Sequence, residues 1–145
     1  MFVLNRCPTK DRIIRWGHQT SPTCLLCNRS DESRDHLFFM CHYSWSLWGS
    51  LAPRCGVQPQ RAWDLVLTQI QSIGRNSTKG ILLRLCWQGC VYWTWMERNA
   101  RLHRQIYRSP ETIERLLDRQ IKDRILSYRQ TNPSSSSRLM QQWVS

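Results

Sequence analysis

Between Cys24 and Cys41 the chain reads CLLCNRSDESRDHLFFMC, and four of these residues carry thiol or imidazole donors: Cys24, Cys27, His36 and Cys41. Their spacing is C-x2-C-x8-H-x4-C. Three thiolates and one imidazole are a common structural set for zinc (Zn2+), which takes four such donors in a tetrahedron. A two-residue gap lets both sulfurs of one tight turn face the same ion. The eight-residue gap, NRSDESRD, is polar and turn-prone, so it loops out and returns. Leu37, Phe38 and Phe39, between His36 and Cys41, are then positioned to pack beneath the ion. Four protein donors leave no open coordination position, which points to a structural metal rather than a catalytic one. Two rival readings exist. One is a Cys24–Cys27 redox pair, although the strand–CxxC–helix setting of such motifs is missing. The other is four unconnected residues. His42 offers a second imidazole, but it follows Cys41 too closely to complete the loop as His36 does. Cys7 and Cys55 lack ligand spacing, and Cys86 and Cys90 read as ordinary helical core.

Such a site needs elements to hold it. PTKDRIIRWG predicts a short helix with Thr9 as N-cap, Ile13 and Ile14 on its apolar face and Gly17 as its stop. After the cluster, YSWSLWGSL puts Leu47, Trp48 and Leu51 on one helical face before Pro53 ends the pattern. A further helix is expected from Arg61 to Ile73, followed by the loop GRNSTKG. From Ile81 to Arg108 a long helix is predicted, with Leu82, Leu85, Gly89, Trp93, Met96, Ala100, His103 and Tyr107 recurring at helical spacing. Its polar side gathers Arg98, Arg101, Arg104 and Arg108. Ser109-Pro110 restarts a helix, as N-cap and N1, that buries Ile113, Leu116, Leu117, Ile121 and Ile125 and exposes Arg115, Arg119 and Lys122. Past Thr131, NPSSSSR reads as a flexible linker and LMQQWVS as too short to fold alone. The expected architecture is mainly α: a small zinc-stabilised N-terminal module (1–53), a basic helical bundle (54–131) and a flexible tail (132–145). A structural zinc contributes on the order of 10 kcal/mol, more than fifty residues obtain from burial. Metal loss is therefore expected to melt the first module and leave the Ile81–Arg129 helices folded.

The charge is lopsided. Twenty-one Lys and Arg face ten Asp and Glu, for a net +11, and only Lys10, Lys79 and Lys122 are lysine. Arginine grips phosphate with a planar bidentate fork, so this balance favours a polyanionic partner, RNA or DNA. Basic residues outnumber acidic ones six to four in residues 1–50, five to one in 51–95 and ten to five in 96–145. The metal-like cluster is thus not the strongly basic part, and phosphate contact is expected from Arg98, Arg101, Arg104, Arg108, Arg115 and Arg119. Trp45 or Trp95 would stack on unpaired bases. With 41% hydrophobic residues and eight tryptophans the chain is expected to fold rather than stay disordered. No apolar run reaches the ~18 residues of a membrane span. MFVLNRCPTK carries no secretory pattern, so an intracellular setting, nucleus or cytoplasm, is expected, with reduced thiols. Paired carboxylates, a nucleophile elbow and a phosphate loop are all missing. The reading is therefore no enzyme and no small-molecule substrate.

TKDRIIRWG, CLLC, DESRDHLFFMC and the following Trp48 together resemble the zinc-binding domain found downstream of the polymerase in plant non-LTR retrotransposon reverse transcriptases. WMERNARLH, Trp95 to His103, resembles the W-x-x-RN helix that recurs in that family. Leu25 and His42 stand where the family often has proline, outside the coordinating atoms. No Y-x-D-D polymerase signature and no endonuclease segment is present. The resemblance implies a non-catalytic zinc-binding piece of such an element, whose domain is thought to help hold template RNA or target DNA. The alternative is a domesticated or decaying fragment that serves only protein interaction, or nothing.

Overall fold

The structure, a computed structural model, describes residues 2–145. Helices α1 (Lys10–Arg15), α2 (His42–Leu51), α3 (Trp63–Ser72), α4 (Thr78–Arg104), α5 (Pro110–Ser127) and α6 (Pro133–Val144) are joined by a π-helical turn at His36–Met40 and a 3-10 turn at Ala52–Cys55. No strand occurs among the described residues. The nearest thing to a sheet is one antiparallel bridge between Thr23 and Asp31.

Local rules account for most boundaries. Ser109 accepts from the Thr112 N–H at 3.2 Å and Pro110 fills the first turn, so α5 starts where a missing proline N–H costs nothing. Ser77 caps α4 by accepting from the Gly80 N–H at 3.0 Å. α4 ends at Arg104, four residues short of the expected Arg108, because Gln105 adopts a left-handed φ of 53° and turns the chain back. Ile14, expected on the apolar face of α1, is exposed, while Lys10 is buried.

α4 runs through the middle of the molecule, with α2, α3, α5, α6 and both short turns against it. Its buried residues are Gly80, Leu82, Leu83, Cys86, Cys90, Val91, Thr94, Glu97, Arg98 and Ala100. The expected stripe of Leu85, Gly89, Trp93 and Met96 is only half buried. A single-face pattern fails here because a central helix has neighbours on several sides. Gly89 marks one of them: a Cβ there would lie 2.3 Å from Leu117 Cδ1, so glycine permits the close approach of α5. Along α5, Ile113, Leu117, Ile121 and Ile125 are buried as the pattern predicts.

Beneath the cysteine–histidine segment lies an aromatic stack. Phe38 packs on Trp63, Trp95 and Phe2, with ring centroids 5.7, 6.4 and 5.2 Å away, and Phe39 packs on Trp48 and Trp63 at 5.4 and 5.6 Å. These contacts join residues before 53 to α3 and α4 in one continuous core.

The tail differs from expectation. Residues 133–144 form α6, capped by Asn132, whose side chain accepts from the Ser135 N–H at 3.2 Å, with Pro133 in the first turn. Ser136, Leu139 and Trp143 are buried along one stripe. Trp143 Nε1 donates to Asp118 at 2.9 Å, and the Arg54 guanidinium lies 4.1 Å from its ring centroid. A short helix that is marginal alone is stable once its apolar stripe docks. Trp143→Ala should lower the unfolding free energy by about 3–5 kcal/mol, measured by urea denaturation, whereas a detached tail would leave it unchanged.

Candidate metal centre

Cys24 and Cys27 sit in a tight knuckle. The Asn28 N–H donates to the Cys24 carbonyl at 2.9 Å, and Asn28 turns the chain with a left-handed φ of 55°. The Cys24 N–H donates to the Ser30 carbonyl and the Glu32 N–H to the Pro22 carbonyl, both at 2.8 Å, so the polar gap returns on itself. His36 and Cys41 come together by a different device. Five α-helical residues would leave them about 140° apart around the axis. The turn is instead closed by the Cys41 N–H on the His36 carbonyl at 2.6 Å, an i to i+5 bond that brings both side chains to one side. Ser33 Oγ accepts from the His36 N–H at 3.1 Å at the start of this turn. Leu37, Phe38 and Phe39 are buried beneath it.

The four donor atoms lie within 4.8 Å of one another. Cys24 Sγ and Cys41 Sγ are 3.9 Å apart, and Cys27 Sγ is 3.4 Å from His36 Nε2. Three sulfurs and one imidazole nitrogen at this mutual span fit one tetrahedral metal ion with no position left for substrate. The Cys24 thiol is held down to about 5, chiefly by the Cys41 thiol donating to it and then by the Cys27 and Leu26 N–H groups, while burial opposes. The same thiol contact, with burial, pushes Cys41 up. Metal binding requires these thiols to give up their protons. His42 is exposed and outside the constellation. Cys55, Cys86 and Cys90 are core thiols; the contact with Cys86 and then burial raise Cys55.

The sequence reading missed the carboxylate that ties this centre to the helices. Glu32 is 1% exposed. It accepts from Arg98 Nη2 at 2.8 Å and Nε at 3.3 Å, from the Lys10 N–H at 2.9 Å and from the Leu25 N–H at 3.5 Å. It thereby supplies the negative charge at the start of α1, where the Thr9 hydroxyl is engaged with Asp11 instead. The available signal was the glutamate of DES and the arginine of WMERN, both inside the blocks that carried the resemblance.

Three of the six arginines expected to meet phosphate are engaged internally. Arg98 is 2% exposed and pairs with Glu32. Arg101 Nε donates to Glu97 at 2.9 Å, and its Nη1 donates to the Leu25 and Leu26 carbonyls at 3.2 and 3.1 Å. Arg108 donates to Glu97 through both Nε and its backbone N–H, at 2.8 and 3.0 Å, while its carbonyl accepts from Tyr43 Oη at 2.6 Å. The buried carboxylates of Glu32 and Glu97 demand these cations; a sequence shows the arginines but not which carboxylate faces them. Arg104, Arg115 and Arg119 are exposed and form no ion pair among the described residues. Arg115 lines a groove of mixed charge with Arg54, Lys122, Glu111, Glu114 and Asp118. Trp95 is half buried and stacked on Phe2 and Phe38, and Trp45 lies under the Arg61 guanidinium at 4.8 Å.

Burial alone would raise the Glu97 pKa, but the Arg108 N–H and the Arg101 and Arg108 guanidiniums outweigh it, and it falls below its ordinary 4.5. A carboxylate depressed in the folded state contributes stability above its unfolded pKa and loses it as pH falls through the folded one. Asp118 acts in the same direction. With excess zinc throughout, Glu97→Gln should flatten the loss of unfolding free energy between about pH 5 and pH 3, followed by denaturant melts. Parallel curves for the two proteins would contradict this.

No curated protein and no solved structure matches this chain. Its residues 1–48, the segment holding all four donors, match the family described as zinc-binding in reverse transcriptase.

Proposed function

We propose that the chain is a non-catalytic module that holds one zinc ion through Cys24, Cys27, His36 and Cys41 and binds nucleic acid through exposed arginines. The observation that carries the metal half is the closed geometry. Zinc bonds of about 2.3 Å to sulfur and about 2.0 Å to nitrogen imply tetrahedral edges of roughly 3.8 Å between sulfurs and roughly 3.6 Å between sulfur and nitrogen. The Cys24–Cys41 and Cys27–His36 edges are 3.9 and 3.4 Å, and all four donors lie within 4.8 Å of one another. Bound zinc would fix the knuckle against the π-helical turn; every chemical feature of the site serves that scaffold.

The nucleic-acid half rests on the net +11, carried mostly by arginine, and on the arginines left free of carboxylates. Arg104 at the end of α4, Arg119 on α5, Arg29 on the knuckle and Arg15 at the end of α1 are exposed. Two exposed aromatic rings stand near them in the chain: Trp16 (52% exposed), next to Arg15, and Tyr107 (67%), in the segment after α4. Guanidiniums on phosphates and rings on unpaired bases are the usual means of holding single strands. No helix of the described residues is long and apolar enough to cross a membrane.

Mass spectrometry of the native protein should find one zinc per chain, and none would overturn the metal half. Binding to short single-stranded RNA and to duplex DNA should weaken steeply with salt, with log–log slopes near −0.7 and −0.9 per phosphate neutralised. Arg104→Gln with Arg119→Gln should weaken both and reduce the slope. Absence of binding at low salt would overturn the nucleic-acid half.

A further inference from the structure

The peptide unit joining Leu25 and Leu26, between the first two metal donors, is held at both ends. Its N–H, from Leu26, donates to Cys24 Sγ at 3.4 Å, and its carbonyl, from Leu25, accepts from Arg101 Nη1 at 3.2 Å. The same Nη1 reaches the next carbonyl, Leu26, at 3.1 Å. On the other side the Leu25 N–H meets Glu32, which Arg98 holds. The Leu25 carbonyl is thus held directly by Arg101 of α4, and its N–H by Glu32, the carboxylate that Arg98 of α4 pairs with.

Arg101 is fixed in this pose. Its Nε is bound to Glu97, its Nη2 donates to the Arg108 carbonyl at 3.3 Å, and the rings of Tyr43 and Tyr107 lie 4.8 and 5.2 Å from its guanidinium carbon. Only 11% of its side chain is exposed. A cation bound to a carbonyl polarises the peptide and strengthens the N–H at its other end as a donor. Here that N–H points at a ligand sulfur. Three thiolates around one divalent ion leave a net negative charge, which a fixed guanidinium nearby offsets.

We propose that Arg101 is a positioning residue of the metal centre. Through the Leu25–Leu26 peptide it orients the knuckle, stabilises charge on Cys24 and sets metal affinity, with Arg98 supporting the same knuckle through Glu32. Its planar fork serves a carboxylate and three carbonyls at once, which a lysine ammonium does not match. The metal-binding unit is therefore discontinuous: it takes in the end of α4, outside the matched residues 1–48. This inference rests on the reading that the Cys24, Cys27, His36 and Cys41 cluster holds a metal.

The test uses the full chain, with zinc affinity measured by chelator competition and the site read independently from the cobalt(II) absorption spectrum. Arg101→Gln should weaken zinc binding by about 10-fold or more, in the range of outer-shell substitutions, and shift the thiolate-to-cobalt band. Circular dichroism at saturating zinc should stay that of the parent. Arg101→Lys should lie between the two, and Arg75→Gln, an exposed loop change, should match the parent. Glu97→Gln, which leaves the carbonyl bonds available, should cost less affinity than Arg101→Gln. Parent-like affinity and cobalt spectrum in Arg101→Gln would overturn the inference and leave the metal reading standing. If Arg101→Gln does not fold, parent-like affinity in a folded Arg101→Lys overturns it equally. A parent protein that binds neither zinc nor cobalt overturns the metal reading and this inference together.

Discussion

One buried carboxylate, Glu32, meets three separately encoded parts of the chain: the first N–H of α1, the knuckle between Cys24 and Cys27, and Arg98 of α4. Removing such a charge from water is expensive, and the pair with Arg98 offsets that cost only because every lone pair finds a donor. A buried ion pair is weak evidence for net stability, yet removing one partner costs about 3–5 kcal/mol, because the other is left uncompensated. Its structural effect is therefore one of specification. The knuckle, α1 and α4 either assemble around Glu32 together or leave a charge stranded.

A second carboxylate extends the same logic. Glu97, one residue before Arg98, gathers Arg101 and Arg108 and folds the segment after Gln105 back along α4. Arginine is abundant in this chain for two physical reasons. Some guanidiniums brace buried carboxylates and backbone carbonyls, and others stand free on the surface. Only the second group is available to phosphate, so net charge overstates the anion-binding surface and says little about its position.

Much of the centre was legible from spacing, because four donors at ligand intervals with LFF between the last two encode a local arrangement. The capped start of α5 and its buried stripe were legible for the same reason. What could not be read was non-local. Periodicity treats a helix as one-sided, so for the central α4 it named Leu82 and Ala100, which are buried, but also Leu85, Gly89, Trp93 and Met96, which are half buried, and it passed over Cys86, Cys90, Thr94, Glu97 and Arg98. The run of serines hid the Ser136–Leu139–Trp143 stripe that docks α6, although Asn132-Pro133 repeats the cap-and-proline logic of Ser109-Pro110. The roles of Glu32 and Arg98 needed both ends of the pair in view.

Metal, knuckle and α4 should accordingly behave as one cooperative unit, in place of a zinc module that melts away from an intact bundle. The most direct measurement is amide hydrogen exchange of the zinc-loaded protein before and after chelation, resolved along the chain. The expected result is that protection falls together in residues 22–41 and in the last turns of α4, from Trp95 to Arg104. Protection lost only within residues 1–53, with the end of α4 unchanged, would contradict it.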